Sequence, residues 1–167
     1  MIENSINDKA SELVEICKDK GVTVGFAESL TGGMISSSVV NVPGASSVFK
    51  GAVVSYTNEI KENVLGVPSE IIEEHTEISE ECALAMAKGA AAVLNVDVAV
   101  SVTGIAGPTG ELPEKPVGTV YMGCCDTRKD YSTVLRLNFN GGRDSIRVQT
   151  VLAALEQVIK LVKDGNG

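Results

Sequence analysis

The chain has 167 residues, 44% hydrophobic and 4% aromatic, with 14 basic against 22 acidic side chains and a formal charge of −8. That size suits one domain with one core, and 22% charged residues at a mean hydropathy of +0.16 argue against disorder. So acidic a surface repels phosphate polymers, which argues against a nucleic-acid partner. No apolar run is long enough to span a membrane, and Met1-Ile2-Glu3-Asn4 lacks the basic and apolar regions of a signal peptide. The expectation is a single cytoplasmic domain over residues 1–167, with neither nucleic acid nor membrane as partner.

In chain order, Ile6, Ala10, Leu13 and Cys17 share one helical face, with Ser5 as the expected cap and Gly21 as the stop. Val22 to Ala27 reads as a buried strand. It runs through Glu28-Ser29-Leu30-Thr31-Gly32-Gly33 into a second helix ending near Val40, and Pro43-Gly44 breaks that helix. Gly51 to Tyr56 reads as a second strand, followed by short helices from about Asn58 and Pro68. A longer helix starts at the cap Ser79, and its alanine-rich body permits close approach of a sheet. Val96 to Thr103 is a third strand, Gly104 to Pro116 a loop of functional length, and Val117–Cys125 and Tyr131–Phe139 an antiparallel pair. The last helix runs from Arg143 to about Val162. This alternation predicts an α/β fold, a three-layer α/β/α sandwich around a mixed, mostly parallel sheet.

Ligands of open α/β sheets gather outside the carboxyl ends of the strands. Parallel strands would bring Glu28, Ser29, Tyr56, Thr103 and the loop from Gly104 to one such rim. Several familiar chemistries are missing their residues. The sequence contains no phosphate loop, complete dinucleotide fingerprint or nucleophile elbow, and the single histidine, His75, lies in an acidic stretch that reads as solvated surface. The four cysteines form no C-x-x-C, and adjacent Cys124 and Cys125 would point to opposite faces of a strand, so they read as reduced small hydrophobes. No cofactor and no metal are implied.

A hydroxyl nucleophile activated by lysine remains. Ser29, Ser46 and Ser47 are candidate nucleophiles, with Lys61, Lys50 and Tyr56 as proton handlers. A free lysine is neutral in only about one molecule in 2,500 at neutral pH. Burial lowers its pKa by up to about 3–5 units, so a desolvated lysine away from carboxylates can act as a base. Glu28 or Glu59 beside it would spoil that base. For anion binding, Gly32-Gly33 can bare backbone N–H groups and Arg143 can fork onto a phosphate.

Five ordered blocks then closely resemble the CinA C-terminal domain family: Ala27 to Gly33, Pro43 to Ser46, Gly51 to Lys61, Ser101 to Pro108 with Lys115 to Val120, and Gly142-Arg143. The resemblance runs from about residue 5 to residue 160. It implies nicotinamide-nucleotide amidohydrolase activity, which converts nicotinamide mononucleotide and water to nicotinate mononucleotide and ammonia. The family's active-site residues fall on Ser29, Ser46, Tyr56 and Lys61. The first assignment is attack by Ser46, with Lys61 as base, Tyr56 relaying or orienting the proton and Ser29 contacting substrate; the alternative exchanges the serines. Thr103, Arg143 and the Gly32-Gly33 amides are implied to hold phosphate or ribose. Gly142 stands where members often carry an acidic residue. Many members are fused behind a separate N-terminal domain, and the family's habit of self-association implies a homo-oligomer, with a dimer favoured. Two other readings share the resemblance: a non-catalytic nucleotide-binding or interaction module, and an amidase or esterase acting on another small anionic substrate.

Overall fold

The computed structural model describes residues 1–164. Helix α1 (Ile2–Lys20) buries Ala10, Leu13, Val14 and Cys17, the stripe that its periodicity predicts. It begins before the expected cap: Ser5 Oγ donates to the Met1 carbonyl inside the helix, and no side chain caps the amino end. Gly21 closes it with φ 64°. Strand β1 (Val24–Glu28) is buried throughout. Helix α2 (Met34–Val40) follows, and a 3-10 turn over Ala45–Ser47 leads into β2 (Phe49–Val54). This strand lies two residues earlier than its composition suggests, because Phe49 already pairs with Val24 and a bulge then sets Gly51 opposite Gly25. Two short helices, α3 (Asn58–Asn63) and α4 (Ser69–His75), precede α5 (Glu80–Leu94). The expected cap of α5 is present, with Ser79 Oγ accepting from the Cys82 N–H at 3.1 Å. The chain continues through β3 (Val98–Gly104), β4 (Thr119–Asp126), β5 (Tyr131–Asn138) and α6 (Arg143–Lys163).

The five strands lie in the order β2-β1-β3-β4-β5. β1 pairs in parallel with both β2 and β3, while β4 pairs antiparallel with β3 and with β5. Four strands therefore point one way, and β4 alone runs against them. Alternation along the strands divides two apolar layers. Val24, Phe26, Val98, Val100 and Met122 pack beneath α1, α2 and α6, whereas Ala27 and Ala99 pack beneath α5 with Leu65 and Val67. Cys124 joins the first layer and Cys125 borders the second, as adjacent strand residues must. The cysteines are free, and burial pushes the Cys124 thiol up to about 12. Among the described residues, no helix is long and apolar enough to cross a membrane.

Connections fix where a ligand can bind. The path from β1 to β2 passes over the α1/α2/α6 face, and the path from β2 to β3 passes over the α5 face. Strand order thus reverses at β1, and the crevice lies outside the carboxyl ends of β1 and its neighbours β2 and β3. The small residues of α5 bring it hard against the sheet: Ser101 Oγ donates to the Ala83 carbonyl at 2.6 Å, and a Cβ on Gly123 would stand 2.1 Å from that same oxygen. Gly123→Ala must push α5 away, so we expect a loss of about 1–3 kcal/mol, read as a lower midpoint in urea unfolding. An unchanged midpoint would contradict this packing.

Candidate active site

Lys61 is the origin of the site. It lies on the short helix α3, whose first turn is closed by Thr57 Oγ1 accepting from the Ile60 N–H at 3.4 Å. This turn aims the lysine inward, and the side chain is 1% exposed. Its Nζ stands 2.8 Å from the Ser55 carbonyl, 3.4 Å from the Tyr56 carbonyl and 3.1 Å from Ser29 Oγ. Among the described residues, no carboxylate lies within ion-pairing reach of it. Burial is the largest influence on this amine and lowers its pKa, while Cys82 and Glu77 oppose that shift.

The partner geometry specifies what a neutral amine would do. A neutral amine has two N–H groups and one lone pair, whereas the two carbonyls can only accept. With its hydrogens on Ser55 and Tyr56, the amine turns its lone pair to Ser29, whose hydroxyl then donates. That is the arrangement of a base beside a nucleophile.

Ser29 opens the turn after β1, and Glu28 holds that turn in shape. The Glu28 carboxylate is fully buried. It accepts from Thr31 Oγ1 at 2.7 Å and from the N–H groups of Gly33 at 3.2 Å, Ile35 at 2.9 Å and Ser36 at 3.0 Å, with Ser36 Oγ as a fifth donor. From α6, Arg147 grips the same turn by the Leu30 carbonyl at 2.8 Å and the Thr31 carbonyl at 3.2 Å. Ser29 is therefore fixed from two sides.

A cleft of about 340 Å³ lies over this pair, within the range of small-molecule sites. Its lining includes Ser29, Lys61, Tyr56, Glu77, Gly104 and Arg143. Gly104 belongs to the wall because nothing larger fits there: a Cβ would stand 2.7 Å from the Thr119 carbonyl. Arg143, in the first turn of α6, donates to the Gly107 carbonyl at 2.8 Å and to the Tyr56 hydroxyl at 3.3 Å. The Tyr56 phenol thus meets Arg143, and only the main-chain carbonyl of Tyr56 touches Lys61. Gly142 is the residue before α6 and makes no side-chain cap.

Other expected residues lie outside the cleft. Ser46 is exposed in the 3-10 turn before β2, at the amino end of that strand. The six residues of β2 put it about 20 Å from the rim, out of reach of Lys61 in the same chain. Ser47 and Lys50 share that end, bonded to the carbonyls of Gly44 and Asn95. Glu28 is turned from the cleft by its five donors. The Gly33 N–H is taken by Glu28 and the Gly32 N–H by the Ser29 carbonyl, so these amides are not bared to an anion. Thr103 is fully buried, and its Oγ1 donates to the Glu77 carbonyl at 2.7 Å. Glu59 is exposed and outside the lining.

Glu77 and Ile78 are the wall residues that the sequence did not reveal, since an acidic run reads as solvated. A usable signal did exist. A helix feeding a parallel strand starts at the carboxyl rim of the sheet, so residues just before the cap Ser79 belong to that rim.

A family model described as the CinA C-terminal domain matches residues 6–162. The chain belongs to the CinA C-terminal domain family. A CinA-like protein of Thermotoga maritima is 45% identical over 160 residues, covering 95% of this chain and 38% of that protein. A CinA-like protein of Dictyoglomus thermophilum is 47% identical over 144 residues, covering 86% of this chain and 34% of that protein. The chain thus spans well under half the length of these curated relatives. Among solved structures, the competence/damage inducible protein CihA of Agrobacterium tumefaciens superposes with a TM-score of 0.91 at 37% identity, covering 94% of this chain and 95% of that one. A CinA superfamily protein of Escherichia coli gives 0.89 at 27% identity, over 93% and 90% of the two chains.

Because burial lowers the Lys61 pKa in the fold while the unfolded chain keeps about the ordinary 10.5, the unfolded state binds more protons between the two values. Stability contributed through Lys61 therefore rises with pH across that window and levels off above 10.5. Urea unfolding of wild type and Lys61→Met from neutrality upward should show wild type gaining on the variant as pH approaches 10.5. A constant difference would contradict a desolvated amine.

Proposed function

We propose that this member of the CinA C-terminal domain family is an amidohydrolase that converts nicotinamide mononucleotide and water to nicotinate mononucleotide and ammonia. The observation that carries this reading is the unpaired, buried Lys61 amine 3.1 Å from Ser29 Oγ in a cleft that Arg143 also lines. The structure favours the alternative assignment of the serines, with Ser29 as nucleophile, because Ser46 lies at the far end of β2 within this chain.

In the proposed mechanism Lys61 Nζ takes the Ser29 proton as Oγ bonds to the carboxamide carbon. The resulting tetrahedral oxyanion collapses, and the C–N bond breaks as Lys61 returns the proton to the leaving nitrogen. Ammonia departs and an ester to Ser29 remains. Water attacks that ester, giving its proton to Lys61, and the serine leaves with that proton to free the acid. Lys61 thus carries one proton in each half of the reaction, and no net charge accumulates in the dry part of the cleft. Arg143, with a guanidinium already oriented by Gly107 and Tyr56, supports the substrate's phosphate.

Ammonia release from the nucleotide is the test. Lys61→Met and Ser29→Ala should each lower kcat by about 10²–10⁴, with Ser46→Ala close to wild type. Arg143→Ala should mainly raise KM. Loss of turnover in Ser46→Ala with retention in Ser29→Ala would reverse the assignment, and tight nucleotide binding with no ammonia from wild type would sink the hydrolytic reading.

A further inference from the structure

Glu77 is the cleft-lining group that the proposed chemistry leaves without a task, and it works against that chemistry. Its negative charge holds the Lys61 pKa up, whereas the base needs that pKa low. Among the described residues, its carboxylate has neither an ion pair nor a hydrogen-bond donor, whereas the Glu28 carboxylate, also without an ion pair, has five donors. It is also held in a built position. Thr103 Oγ1, from β3, donates to its carbonyl. Lys115 Nζ, from the loop after β3, clasps the carbonyls of His75 and Ile78 on either side of it. Two residues that the sequence placed in motif blocks thus serve to fix the segment presenting Glu77.

The charges around the cleft have a polarity. Glu77 enters from the α5 layer of the sheet, beside Lys61, while Arg143 enters from the α6 layer and lines the same cleft. A ligand with a positive centre near its scissile amide and a negative group farther along would satisfy both ends. We propose that Glu77 is a specificity-determining residue that receives the cationic ring of an N-substituted pyridinium carboxamide, selecting zwitterionic substrates over those with a neutral ring. This rests on the amidohydrolase reading and adds a named contact to it. It also gives the carboxylate a compensating role. A cationic ring seated against Glu77 offsets its charge at Lys61, so the base is relieved when the intended substrate is bound.

The experiment is calorimetric binding of nicotinamide mononucleotide, whose ring is cationic, and of its reduced form, whose dihydropyridine ring is neutral, with ammonia release followed separately. Wild type should bind the cationic-ring nucleotide about tenfold more tightly than the neutral one, a preference expected of one partly desolvated charge pair. Glu77→Gln and Glu77→Ala should abolish that preference and leave affinity for the neutral-ring form unchanged. A merely structural role would weaken both ligands alike. Equal affinities in wild type, a preference that survives both substitutions, or no binding of either nucleotide would overturn the assignment. Ammonia release with a surviving preference would sink Glu77 alone. A preference lost in the variants with no ammonia from any protein would sink the hydrolytic reading and leave Glu77 as the selector.

Discussion

A lysine amine removed from water without a carboxylate is the constraint around which this site is organised. Burying an ammonium is costly unless its charge is paired, and here its neighbours are two main-chain carbonyls and one hydroxyl. Those groups can meet the hydrogen bonds of either form, but among the described residues they leave the charge of an ammonium unpaired. The surrounding fold thereby keeps Lys61 biased toward the form that can accept a proton. A carboxylate partner in place of Ser29 would have reversed that bias and left an inert buried ion pair.

Much of the polar chemistry near the rim works on shape. Glu28 uses both carboxylate oxygens to hold the turn after β1, Arg147 holds the carbonyls of that turn from α6, and Thr103 and Lys115 hold the segment before α5. Each looks like a ligand group in sequence, being polar and set at a strand end. Each is consumed internally because a tight turn at the end of a buried strand leaves backbone groups that must find partners inside the protein. The side chains that line the cleft beside these braces include Ser29, Lys61, Glu77 and Arg143.

The layers and strand directions were legible because period-two strands and period-3.6 helices alternate plainly, and because Gly21 and Ser79 punctuate helices in the usual way. Ser5 was not a cap, since an exposed helix start has no packing to fix its first turn. The rim was legible at Ser29, Tyr56 and Gly104, which follow or end strands. The place of Ser46 could also have been read: a residue just before a strand parallel to β1 sits at the amino end of the sheet, opposite the rim. Glu77 was obscured by its acidic neighbours, and the fates of Glu28, Thr103 and the Gly32-Gly33 amides depended on hydrogen bonds that residue type alone does not disclose. Resemblance gathered Ser29, Tyr56, Lys61 and Arg143, which line one cleft, but it could not separate them from Thr103 and the Gly32-Gly33 amides, which are used internally, or from Ser46 at the other end of β2.

The direct measurement is an NMR titration of the lysine side chains with isotope at Cε, following each resonance against pH in the free protein. The account predicts that the Lys61 resonance, assigned by its absence from the Lys61→Met spectrum, titrates below the ordinary lysine value of 10.5. A Lys61 titration at or above the ordinary lysine value of 10.5 would contradict it.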